Sequence, residues 1–168
     1  MTSMPIAAHP EQGGDPAPGL PPLLSVTPWW DPELALSGFD PLGAYVERYW
    51  LPILGPASTL TLRRLVRGLA DNPSGFSVSV EELARGLGIG TALSRNSPAP
   101  RAIERLTYFG MARHVGGSLA VRTHVPAVGQ HLVRRLPAAL RDTHPAWLLR
   151  RGDSDGPPRP ARPGPAAA

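Results

Sequence analysis

The chain has 168 residues, no cysteine, and 17 basic residues that are all arginine, for a net charge of +4. Without cysteine there is no disulfide, thiolate zinc site or thiol nucleophile. No apolar run reaches membrane-spanning length and no basic-then-apolar segment opens the chain, so a cytoplasmic protein with no membrane partner is expected.

The 22 prolines and 18 glycines are unevenly placed. Residues 1–38 and 151–168 are proline-rich and lack the apolar periodicity that would offset the entropy of ordering them. They are predicted to be disordered tails around a core of residues 39–150. Charge divides along the same lines. The N-terminal segment carries Glu11, Asp15, Asp31 and Glu33 and no base, while the core holds 14 arginines against 7 acidic residues. A basic core points to a polyanionic partner, double-stranded DNA foremost. Guanidinium groups fork and stack where ammonium groups cannot.

In chain order, Asp40 and Pro41 open a predicted helix whose stripe is Leu42, Tyr45, Val46, Tyr49 and Trp50, and Pro52 is expected to end it. A second helix starts at Gly55-Pro56. Leu62, Leu65, Val66 and Leu69 form its inner face, and Arg63, Arg64 and Arg67 fall on the opposite side. A turn at residues 72–75 leads into "FSVSV", whose alternation predicts a short strand. Ser79 and Glu82 make a capping box for a short helix stopped by Gly88. Ser97 and Pro98 open another helix, with Ala99, Ala102, Ile103, Leu106 and Phe109 inward. "MARHVGGSLAVRTHV" reads as a hairpin turned at Gly116-Gly117. In that register Val115 pairs with Ser118, His114 with Leu119 and Arg113 with Ala120; Leu119, Val121 and His114 face inward, and Arg113 and Arg122 lie together on the other face. A last helix, broken at Pro137, brings Trp147 and Leu148 over the first.

The order helix, strand, helix, helix, hairpin, with "VEELARGLGI", "SPAPRAIERLTYFG" and "ARHVGGSLAVRTHV" in its later positions, resembles the winged helix-turn-helix superfamily over residues 57–125. "YWLPILGPASTLTLRRL" with the later "RLTYFGMA" also looks like a set of actinobacterial winged-helix proteins. The "PILGP" entry to the second helix is similar to that of N-terminal winged-helix domains of bacterial primosome proteins. One departure is the connection of residues 88–96, longer than the tight turn of that motif. The resemblance implies a mainly α fold with a small β wing, flanking helices and disordered tails.

A DNA-binding protein, most simply a transcription regulator, is the function the resemblance implies. The helix over 97–109 would enter the major groove, and the 112–125 wing would lie beside it. On a 3.6-residue wheel Arg101, Arg105 and Tyr108 share one outer face. Arg95, Arg113 and Arg122 are candidates for phosphates or the minor groove. The competing reading is a non-catalytic protein-interaction module in a replication or transcription assembly, with Trp29 and Trp30 as partner anchors. The same tryptophans could instead fold back on the basic core. The flanking helices, which carry the aromatics, are the expected surface for any homodimer. Catalysis is not expected. The histidines are scattered, "GLGIGT" follows a helix instead of a strand, and no nucleophile or carboxylate pair assembles, so no metal or cofactor is expected.

Overall fold

The computed structural model describes residues 20–149. Residues 1–19 and 150–168, which include the first half of the expected N-terminal tail and all of the expected C-terminal tail at 151–168, lie outside the described residues. Between those limits the chain is mixed α/β, with a four-stranded sheet and seven α-helices. Helix predominates as expected, but the β part is a four-stranded sheet instead of a small wing. The expected long N-terminal tail is also corrected, because residues 23–37 form a strand and a helix.

The strand, β1 (Leu23–Trp29), pairs antiparallel with β2 (Phe76–Ser79) through its first half and parallel with β4 (Ser118–Arg122) through its second. β4 pairs antiparallel with β3 (Ala112–Val115), giving the order β2-β1-β4-β3. Leu24 and Val26 of β1 are fully buried beside Leu119 and Val121 of β4, the period-2 alternation of a sheet with one packed face. Pro28 fits because the two pairings are staggered. The Trp29 carbonyl accepts from Thr123 on the β4 side, so Pro28, one residue earlier, turns its ring nitrogen the other way. There β2 has already ended, and no ladder bond is lost.

Asp31 caps α1 (Pro32–Ser37), accepting from the N–H groups of Glu33 and Leu34 at 3.1 and 3.3 Å. The next helix does not stop at Pro52. A π-helical turn (Val46–Trp50) runs directly into α2 (Leu51–Leu54), with Leu51 N–H bonded to the Val46 carbonyl five residues back. Pro52 can neither donate to the carbonyl four residues behind it nor fit its ring beside it, and the wider turn relieves both problems. Gly55, at φ +78°, then ends α2 and leads into α3 (Pro56–Asp71). A side chain is strained at that dihedral, which is why glycine stands between two helices only one residue apart.

Ser79 caps α4 (Val80–Gly86) through the Glu82 N–H, and Gly88 follows at φ +68°, both as expected. Ser97 precedes α5 (Pro98–Tyr108), but its hydroxyl bonds Ser94 Oγ at 2.6 Å and makes no cap bond. The hairpin has the predicted register at all three pairs. His114 is an exception to the expected facing: it is exposed, because β3 is an edge strand and this part of it carries no packed layer. The chain closes with α6 (Gln130–Val133) and α7 (Ala138–Leu149).

One core joins the sheet to the helices. At its centre Phe39 and Tyr45 stack with centroids 3.5 Å apart, and Trp147 lies about 6 Å from both Tyr45 and Tyr49, as predicted for the closing helix. Trp50 donates its indole N–H to the Pro126 carbonyl at 2.8 Å. The Tyr45 hydroxyl accepts from the Val128 N–H at 2.9 Å and meets His144 Nε2 at 2.8 Å. Buried tyrosine hydroxyls normally find such partners.

Candidate nucleic-acid interface

α5 is held by Ala99, Ala102, Ile103 and Leu106, all buried, and it packs along α3. Its opposite side carries Arg101, Glu104, Arg105 and Tyr108, as the wheel predicts. These residues form one wall of an open groove of about 840 Å³, whose other wall is Leu54–Ser58, where α2 ends and α3 begins. Arg135, from the turn after α6, completes it.

The arginines of this face are not equivalent. Arg101 is exposed and makes no ion pair among the described residues. Arg105 is tied inward. Its Nε donates to the Ile53 carbonyl at 3.2 Å, its Nη2 donates to the same oxygen, and its guanidinium lies 5.3 Å from the Phe109 ring. That carbonyl belongs to the last turn of α2, where cationic donors satisfy orphan acceptors. Tyr108 is 81% exposed, with its ring edge-on to Phe109. Arg95 and Glu104 form an ion pair of 3.6 Å between exposed side chains, a pairing worth little in water.

The hairpin arginines sit elsewhere. Arg122 donates from Nε to the Gly110 carbonyl and from Nη1 to Asp31 Oδ2, both at 2.8 Å, and its guanidinium lies 3.7 Å from the Trp29 ring centroid. Expected at a phosphate, it is instead committed to holding β1 and α1 on the hairpin. The hydrogen bond from Arg122 keeps the Asp31 carboxyl below its ordinary range. Arg113 lies over the same ring at 4.2 Å and remains exposed. Neither residue lines the α5 groove. Of the proposed partner anchors, Trp29 is half-buried beneath these guanidiniums, whereas Trp30 is 64% exposed.

On the back of α3, Arg63 is drawn in, bonded to the Leu42 carbonyl and 3.4 Å from Glu47, while Arg64 and Arg67 stay in solvent. No group of three His, Cys, Asp or Glu residues among the described residues is arranged to hold a metal ion. No helix there is long and apolar enough to cross a membrane.

Comparison with protein-family models, curated proteins and solved structures finds no match to this chain. The groove must therefore be read from its own chemistry. It sets three guanidinium groups against one carboxylate that faces Arg95. Sequence reasoning had not included Arg135 or the Leu54–Ser58 wall. A helix opening on Gly55-Pro56 without a Ser, Thr, Asp or Asn cap was the visible signal for that wall.

Proposed function

We propose that the protein is a DNA-binding module of the winged-helix kind that presents the outer face of α5 to a duplex. The order α3, β2, α4, α5, β3, β4 supports this reading, with β1 as an additional strand between β2 and the hairpin. The observation that carries it is Arg101: an exposed, unpaired guanidinium on the outer face of a well-packed helix, free to make two parallel hydrogen bonds to a guanine edge. Arg95 and Arg135 flank it for phosphates, and Tyr108 adds an exposed ring. Arg105 and Arg122, candidates on sequence grounds, serve the fold in this reading.

A gel mobility shift on random genomic duplex fragments at low and moderate salt tests the proposal. Binding that weakens with salt and is lost in Arg101→Ala supports it. Equal affinity of Arg101→Ala and the parent protein overturns it.

A second reading has its own observation. Trp30 and Leu36, in and beside α1, are both exposed, and such side chains anchor protein partners. Absence of any shift at low salt favours this protein-docking module over DNA binding.

A further inference from the structure

The wall of the groove opposite α5 is the start of α3, and its polar groups are unspent. Four N–H groups at a helix start lack intrahelical partners. Here the Gly55 N–H bonds the Leu51 carbonyl of the preceding helix at 2.8 Å, and Pro56 has none to offer. The N–H groups of Ala57 and Ser58 are left, and no side chain caps them. Sixteen residues of α3 add their dipole at that end.

Ser58 supplies an independent observation. It is only 3% exposed, yet it forms part of the groove wall, and its hydroxyl makes no hydrogen bond among the described residues. Ser58 Oγ is not among the sealed, unpaired side-chain atoms of the described residues, so it keeps access to the groove that it lines. A serine in the first turn that neither caps nor bonds back to the preceding carbonyls has its donor and acceptor in reserve. Across the groove stand Arg101 and Arg135, exposed and without ion pairs among the described residues. The one groove carboxylate, Glu104, is engaged with Arg95.

We propose that this groove is a phosphoryl-binding site. The Ala57 and Ser58 N–H groups and the Ser58 hydroxyl take the oxygens, and Arg101 and Arg135 neutralise the charge. This deepens the DNA reading, since Arg101 belongs to both, but the site's chemistry does not depend on a duplex. Two sources carry the group: a backbone phosphate of bound DNA, or a free phosphorylated small molecule of a size that a groove of about 840 Å³ admits. Backbone amides at a helix start with guanidinium support are a general solution for this anion.

The test is a titration of the full chain with inorganic phosphate at constant ionic strength, read by amide chemical shifts. Saturable shifts at Ala57 and Ser58 are expected, and Arg135→Ala should weaken them roughly tenfold. Ala57→Asp separates site from fold. Its carboxylate sits in the first turn, where negative charge favours the helix, so the melting temperature should hold or rise while phosphate binding disappears. Absence of saturable shifts at these two amides overturns the proposal, as does unchanged binding in Ala57→Asp. A competition arm identifies the source. Displacement of duplex by phosphate assigns the site to a DNA backbone phosphate, and phosphate binding without displacement assigns it to a free phosphorylated ligand. A duplex that shifts α5 amides while phosphate leaves Ala57 and Ser58 unmoved would overturn this site and leave the DNA reading standing.

Discussion

The guanidinium of Arg122 rests 3.7 Å from the ring centroid of Trp29, and the two residues are also direct partners in the parallel pairing of β4 with β1. A strand from the N-terminal segment is thus joined to the hairpin by backbone ladder and side-chain stacking at one position. Each cation–π contact of this kind contributes about 0.5–2 kcal/mol. Trp29→Ala is therefore expected to lower stability by about 2 kcal/mol, measured by urea denaturation, because it removes both arginine contacts and the ring's buried area. Arg122→Ala should also lower stability, by loss of the Gly110 and Asp31 hydrogen bonds. Weaker duplex binding in Arg122→Ala without loss of stability would contradict this structural role.

Arg101 and Arg105 share one helix face but are predicted to respond in opposite ways. Arg105→Ala leaves the Ile53 carbonyl without its donor and should cost about 1 kcal/mol of stability. Arg101→Ala touches nothing internal and should leave the thermal midpoint unchanged while weakening duplex binding roughly tenfold or more. Parallel thermal melts and mobility shifts on the two variants check the contrast.

On α5, the loop before it, the hairpin and the groove rim, Arg95, Arg101, Arg113 and Arg135 keep exposed guanidiniums that can meet the duplex, Arg95 being only loosely paired. At about 0.9 released counterion per contact, the plot of log affinity against log salt should have a slope near −4. A slope close to zero, from fluorescence anisotropy over a salt series, would show that the arginines do not meet phosphates.

Acid should loosen the core through its buried histidines. His144 is 1% exposed, and its Nε2 meets the Tyr45 hydroxyl, which also accepts from the Val128 N–H. Burial pushes the His144 pKa below its ordinary 6.5, and burial does the same to His124 against the opposing pull of Asp40. The unfolded chain then binds protons near pH 6.5 that the folded chain refuses. Stability is full above about that pH and falls as pH drops below it. The melting temperature should decline from pH 7 to pH 5, and His144→Gln, which keeps an acceptor but does not titrate, should flatten the decline. An identical slope in that variant would remove His144 as its cause.

Much of the local structure was legible because it is written in short-range chemistry. The Ser79 cap, the Gly88 stop, the Gly116-Gly117 turn and the hairpin register follow from residues within a few positions of one another. So does the outward placement of Arg101, Arg105 and Tyr108, which needs only a 3.6-residue period and a buried Ile103 and Leu106. β1 was missed although Leu24 and Val26 alternate with Ser25 and Thr27, because Pro28 and the surrounding prolines argue against a strand. Only the stagger of β2 and β4 along β1 makes that proline harmless. The helix through Pro52 was cut short for the same kind of reason, since a π-helical turn is an answer that packing selects and local propensity does not advertise.

By itself the sequence determined α3, α4, α5 and the hairpin and which side of α5 faces water, since periodicity and caps act over one or two turns. Tertiary structure alone decided which arginines are free. Arg105 and Arg122 were as available as Arg101 until Ile53, Trp29 and Asp31 arrived from distant parts of the chain to engage them. A guanidinium reaches far and accepts any carbonyl, carboxylate or ring within its fork, so its role is set by what folding brings near it.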